Sequence, residues 1–340
     1  MRAPGKLALA ASVLASVHAV ALGAAFLAPY GPAEQARALP YAPPTRVHFV
    51  DDAGRLHLRP FVHALVDDES AAGRYREDRS QAFPIHFFVR SPAVLGAGEG
   101  WRLFGVDEPA RVFLLGTDGF GRDQLSRLLH GARISLFAGL LATVISLGLG
   151  WVLGTVAGFY GRGTDTVVMR AADVFLALPW LYLLFAVRAA LPLHLPANQA
   201  FRMLVLVIGL VDWARPARLV RGLVLSARER NYVRAARGFG AGDLYLVRRH
   251  IAPQTFGLLL TQGALLVPQY ILAEVTLSFL GLGVGEPVPS WGNMLAALQR
   301  YHVLSSYWWM WAPGLALIPV FLAYSALSEA LQSRVGPASP

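Results

Sequence analysis

Few residues of this 340-residue chain are suited to covalent chemistry. It has no cysteine, which rules out disulfides, thiolate nucleophiles and thiolate metal sites. Lys6 is its only lysine, so the lysine that must follow the glycine-rich turn of a Walker A loop is missing. The chain therefore binds no nucleotide in the P-loop manner. His48, His57, His63 and His86 fall in one polar segment, but their spacing matches no ligand motif. They read as solvated or strand-packed histidines, and no metal or other cofactor is expected. No nucleophile, base and acid stand in a catalytic pattern. Recognition chemistry stands out instead, in the stretch from Arg228 to Asp243 and on to Pro253. Guanidinium groups pair with carboxylates or phosphates, and this stretch sets them among alanines, glycines and single aromatics.

Tyr232, Ala235, Ala236 and Phe239 are spaced 3, 1 and 3, which places them on one helical face. Arg230, Arg234 and Arg237 fall on another. Gly238, Gly240 and Gly242 permit a bend, after which Asp243 is expected to cap a second short helix over 244–251. Two short helices with alanines at the contact face make a plug that another backbone can approach closely. A basic amphipathic loop that holds lipid headgroups has the same periodicity, and spacing alone leaves both readings open. One further residue invites a role. Glu274 lies in an apolar run, where a charge is costly and often functional; it fits either the wall of a substrate path or a hydrogen-bonded acid between helices.

These residues must be positioned by membrane helices. The chain is 55% hydrophobic and 15% charged, with mean hydropathy +0.46, a balance that fits a polytopic membrane protein. The net charge of +9 is not spread as a nucleic-acid-binding stripe; the arginines cluster beside apolar runs. The all-α reading has six spans. The first covers residues 7–28, within an N-terminal helix region 1–29. The second covers 134–159 and carries Gly139, Gly148, Gly150, Gly154 and Gly158, whose small size lets helices approach in lipid. The third is 174–191 with Pro179 inside, and Pro192 and Pro196 mark the turn after it. The fourth is 201–219, interrupted by Asp212, Arg215 and Pro216. The fifth is 256–280 and the sixth 307–327, opened by Tyr307, Trp308, Trp309 and Trp311 as an interfacial belt.

Between the first two spans, residues 30–115 form a polar external insertion. A hairpin is expected around Asp52-Ala53-Gly54, strands over 83–89 and 111–115, and a solvated loop over 67–81. Residues 116–133 then read as an external interfacial helix, with Leu125, Leu128, Leu129 and Ala132 on its apolar face. The helical core runs over 134–330 with its charged loop at 226–253, and 331–340 is a tail. Charge supports both termini inside. Residues 215–250 carry nine arginines against Glu229 and Asp243, while residues 34–123 carry 13 acidic and 11 basic residues.

The stretch Tyr232-Val233-Arg234-Ala235-Ala236-Arg237-Gly238-Phe239-Gly240, followed by Arg249-His250-Ile251-Ala252-Pro253, resembles the EAA loop of ABC importer permeases. Arg234 stands where that family usually has Glu, and Ala252 where it has Leu. Five more stretches resemble the oligopeptide and dipeptide (nickel) branch: residues 115–123, 125–129, 131–136, Leu277-Ser278-Phe279-Leu280-Gly281-Leu282-Gly283 and Pro289-Ser290-Trp291-Gly292. Together the motifs span about residues 112–330. The resemblance implies a non-enzymatic permease subunit in the bacterial cytoplasmic membrane. Its expected partners are a second permease, two cytoplasmic ATPases, an external substrate-binding protein and membrane lipid, with no nucleic acid. It also implies that Tyr232, Arg234, Ala235, Ala236, Phe239, Gly240, Asp243 and Pro253 contact the ATPase. The rival reading, a secondary transporter without an ATPase partner, needs buried ion-coupling groups beyond Glu274.

Overall fold

A computed structural model describes residues 3–68, 75–91, 100–190 and 196–335, and it is mostly helical. Apolar runs too long for water become helices because only an internally hydrogen-bonded backbone suits lipid. Four segments among the described residues are long and apolar enough to cross a membrane: Gly5–Leu22, Gln124–Tyr160, Asp243–Phe279 and Trp308–Ser333. The first lies in α1 (Ala3–Leu22), which a short α2 (Ala24–Leu27) follows.

Several helical expectations need correction. The interfacial helix expected to end at Arg133 is the first part of one 37-residue helix, α3 (Gln124–Tyr160). No proline or helix-ending glycine turn separates its amphipathic start from the apolar run. The third expected span is broken: α4 (Arg162–Ala177) and α5 (Trp180–Ala190) meet at 90° around Leu178 and Pro179, because proline lacks the N–H that the helix needs there. The fourth is split at Asp212 and Trp213 into α6 (Ala197–Val211), which is apolar from Met203 onward, and the arginine-bearing α7 (Ala214–Arg228). Pro192 lies outside the described residues; Pro196 is the N-cap of α6.

The chain divides into two compact units. One contains Met1–Ala15, Leu136–Leu277 and Pro319–Pro340. Here α8 (Asn231–Gly238) and α9 (Asp243–Leu246) follow α7, and a π-turn over Val247–Ile251 leads straight into α10 (Ala252–Phe279). The expected separate helix over 244–251 is therefore the start of a long one. Pro253 cannot donate to the turn below it, and the wide turn before it, with Ala252 N–H bonded to the Val247 carbonyl, absorbs that loss. Most of the glycines singled out on α3 work as close-approach points. A Cβ on Gly139 would lie 2.5 Å from Ile271 of α10; on Gly150, Gly154 and Gly158, one would lie 2.6, 2.4 and 2.9 Å from Pro216, Ala217 and Arg221 of α7. Their four-residue spacing keeps the last three on one face. Gly148 meets nothing within 4 Å.

The second unit holds Ser16–Ser135 and Ser278–Ile318. Its antiparallel sheet, order β1-β2-β3, joins His48–Val50, Leu56–Asp67 and Tyr75–Pro84; β4 (His86–Ser91) pairs with β5 (Gly100–Gly105). The expected hairpin is present, with Val50 opposite Leu56. The strand expected over 83–89 is interrupted at Ile85, where the chain passes from one sheet to the other. Residues 111–115 are not a strand, since they hydrogen-bond to side chains and a loop: Val112 N–H donates to Tyr30 Oη and Phe113 N–H to Thr45 Oγ1. The loop expected over 67–81 is largely β3 from Tyr75 onward; residues 69–74 of it lie outside the described residues. After α10 come the short α11 (Trp291–Ala296) and α12 (Tyr301–Ser306). A 3₁₀ turn over Trp308–Trp311 then opens onto α13 (Ala312–Val335), a helix shared with the first unit. Trp309 is buried and donates to the Thr117 carbonyl at 2.9 Å, so of the aromatic belt only Trp308 and Trp311 stay exposed.

Candidate functional site

The bend between α7 and α10 is built around one apolar cluster. Phe159 of α3, Val220, Val224 and Ala227 of α7, Val233 of α8, Leu246 of α9 and Ile251 are all buried together. Val233 fixes the inner face of α8, and half-buried Ala236 packs beside it. The opposite face has nothing to cover it. Phe239 is 92% exposed and Tyr232 47%, with Ala235 exposed between them. Leu244 and Tyr245 extend this apolar crest. Gly240 has φ +84, the left-handed backbone that turns α8 toward α9, and a Cβ there would meet nothing within 4 Å.

Charges rim the crest. Arg234 pairs with Glu229, and this holds the Glu229 carboxyl below the usual carboxylate range. Arg237 lies 5.2 Å above the Phe159 ring and 3.5 Å from Asp243. Asp243 is the first residue of α9; its N-cap is Gly242, with no side-chain capping bond, so the expected capping role for Asp243 does not hold. Tyr232 Oη accepts from Gln254 Nε2, and its ring lies 5.8 Å from that of His250. Pro253 is the second residue of α10 and is exposed. The structure therefore brings all eight loop residues to one bend of the chain. Sequence reasoning missed the anchors Val233, Leu246 and Ile251. Local spacing does not single them out: Leu246 lies among Leu244, Tyr245 and Val247, and Ile251 between His250 and Ala252.

Glu274 is on α10 and fully buried, away from this bend in sequence. The same unit holds a second polar group that the sequence did not point to. Tyr270 Oη lies 2.9 Å from Ser146 Oγ and 3.0 Å from Asp212 Oδ2, while Ser146 Oγ donates to the Asp212 carbonyl at 3.0 Å. It ties α3 and α10 to the break between α6 and α7, and it gives buried Asp212 the partner it needs. The four external histidines do not gather at one point: the His48 and His63 rings lie 5.2 Å apart, with His48 3.2 Å from Glu77 and His63 Nδ1 bonded to the Gln81 carbonyl at 2.8 Å, while His57 lies 3.0 Å from Asp51 and His86 3.3 Å from Asp107. Among the described residues no three potential ligands gather for a metal ion.

This arrangement leaves an exposed apolar crest rimmed by charges at the bend. Residues 150–337 match the family model described as the binding-protein-dependent transport system inner membrane component. The chain is an ABC importer permease. A protein of Brucella suis biovar 1 that bears a peptide permease name is 37% identical over 230 residues, covering 67% of this chain and 74% of that one. The di/tripeptide transport system permease protein DppC of Pseudomonas aeruginosa is 40% identical over 226 residues, 66% of this chain and 72% of that one. Among solved structures, a chain of the inward-facing methionine transporter MetNI aligns with TM-score 0.46 and 14% identity over 61% of this permease and 95% of that chain. The family assignment stands on the sequence matches. The permease is a multi-pass component of the inner membrane and is not itself an enzyme. An importer of this class works with an ATPase and a binding protein on other chains.

Proposed function

We propose that this permease forms half of a peptide path across a bacterial cytoplasmic membrane and takes its power stroke through α8. The peptide class is favoured by relatives named for peptide transport. A homologous second permease completes the path, two ATPase subunits dock from the cytoplasm, and an external binding protein delivers the substrate. In this reading the four long apolar segments, the bent pair α4–α5 and the shorter apolar α6 make six crossings, which put both termini inside. Buried Glu274 borders the path.

The carrying observation is the exposed crest of Tyr232, Ala235 and Phe239 on a helix whose other face is anchored by Val233. A phenylalanine left 92% exposed beside small residues is ready for a pocket on a partner, where apolar burial yields about 25 cal/mol per Å². The crest ends in a π-turn at the base of α10, so force on α8 passes directly to a membrane helix. Alternating access then follows from ATP-driven closure of the ATPase pair. Phe239→Ala, or Ala235→Trp as the steric counterpart, is expected to leave the permease folded while lowering ATPase copurification and uptake together. Normal copurification and normal uptake in both variants refute the docking role. Loss of vesicle-lipid binding with ATPase binding intact favours the lipid-headgroup reading instead.

A further inference from the structure

The β4–β5 hairpin has two unlike faces. Phe104 packs with Val62, Ile85 and Val112 in the core of the external sheets. On the other side, Arg90 stands opposite Trp101 in register and its guanidinium lies 5.2 Å from the Trp101 ring centre. Phe88, at a left-handed kink of β4 (φ +56), is 61% exposed and Trp101 is 54% exposed. The hairpin also sits on the outer end of the first apolar segment. The Phe26 ring of α2 lies 6.2 Å from that of Phe88, and Arg102 donates to the Pro29 carbonyl at 2.6 Å. Leu22 and Phe26 are themselves exposed, so the Phe26–Phe88 contact joins exposed apolar side chains of the two elements.

We infer that this hairpin lies in the headgroup layer of the outer leaflet, with Phe88 and Trp101 dipping toward the acyl chains and Arg90 meeting lipid phosphate. An aromatic flanked by arginine, at the level where a span ends, is the chemistry of a membrane–water boundary. Guanidinium stacked on indole keeps its charge available to phosphate while covering the ring. The hairpin would thereby hold the external domain down against the bilayer. The inference rests on the first helix spanning the membrane and is independent of the coupling role of α8.

The absence of cysteine makes the test direct, because single cysteines can be placed at will. Phe88→Cys, Trp101→Cys, Leu9→Cys in α1 and Ala53→Cys at the tip of the β1–β2 turn are each labelled with a nitroxide. The labelled permease is reconstituted with its partner subunits in phosphatidylglycerol-containing vesicles. Collision rates with oxygen, which enriches in lipid, and with a water-soluble nickel chelate are then compared. Labels at 88 and 101 are expected to show an oxygen-to-nickel ratio several-fold above that at 53 and approaching that at 9. If either label fails to express, bromolipid quenching of the total tryptophan fluorescence, expected to fall in Trp101→Phe, answers the same question. Water-like ratios at 88 and 101 with a lipid-like ratio at 9 overturn the hairpin placement alone. A water-like ratio at 9 as well overturns the span reading with it. Labels at 88 and 101 shielded from both reagents mean that a partner protein covers the face, and this also overturns the inference.

Discussion

Arg234 shows how little a charged pair near the surface says about the fold. Its guanidinium and Glu229 are both largely exposed, and such pairs are worth about 0–1 kcal/mol. The departure from the family's usual Glu is met inside the chain: the acid stands at Glu229, and Arg234 reaches back to it. Arg234→Ala is therefore expected to leave thermal stability within that small range while weakening ATPase copurification. A large fall in the unfolding temperature with unchanged copurification would make Arg234 a fold residue. Asp123 is the opposite case. It is fully buried at the start of α3, where Ser126 N–H and Oγ donate to Oδ2 at 2.7 and 2.6 Å, and burial pushes its pKa up to about 7. An unfolded aspartate ionises near 4, so native Asp123 holds a proton over an interval where the unfolded chain does not. Its contribution to stability is complete below about pH 4 and is lost as pH rises through about 7. Asp123→Asn is expected to gain stability over the natural chain at pH 8 and to lose that gain by pH 5, as read from thermal unfolding. A gap that stays constant with pH means that Asp123 is already ionised in the fold.

At the scale of elements, the packing of α3 on α7 is the clearest device. Gly150, Gly154 and Gly158 form one small-residue stripe, and a Cβ on Gly154 would stand 2.4 Å from the Ala217 carbonyl oxygen. Gly154→Val must push α7 away, and overpacking of this kind costs about 1–3 kcal/mol. Because α7 carries the cluster that seats α8, the same change is expected to lower uptake more than assembly, measured as transport against copurification; equal loss of both would indicate simple misfolding. This stripe was legible in the sequence because a four-residue period has one meaning on a helix. The α3, α10 and α13 spans were legible for a similar reason: length and hydropathy leave apolar runs few alternatives. The joins were less so. Pro179 and Asp212 each marked a disturbance, but the break at Asp212 is held by Tyr270 and Ser146, 58 and 66 residues away. The strand at Tyr75–Pro84 was hidden for a different reason. Its YREDRSQAFP sequence is polar and held by pairing with β2, so cross-strand partners override local propensity. In the coupling bend, the exposed residues were legible from the arginine and alanine pattern. The anchors were not, because burial of Val233 is set by Phe159 and α7.

For the whole permease, the external insertion poses a question of division of labour. The two ends of the insertion, on either side of residues 46–105, are stitched together before the sheets begin. Thr117 N–H donates to the Ala42 carbonyl at 2.9 Å and Ala42 N–H to Thr117 Oγ1 at 2.8 Å; Tyr41 N–H bonds Asp118 O, and Thr45 N–H bonds Phe113 O. Tyr41 also stacks on Tyr307 at 4.3 Å. These contacts lie outside residues 46–105, so removing that stretch and rejoining its ends preserves the base on which it stands. The helices that carry the glycine stripe, the polar group at Tyr270 and the coupling crest lie wholly outside it as well. If the insertion serves to receive the binding protein, the shortened permease is expected to copurify with its second permease and ATPases at normal levels. Uptake should fall severely, and ATP hydrolysis should lose its stimulation by the loaded binding protein. Uptake and stimulation at natural levels would show that delivery needs no part of the two sheets. Loss of the ATPase subunits would show that an element more than 120 residues before α8 governs how the coupling crest is presented.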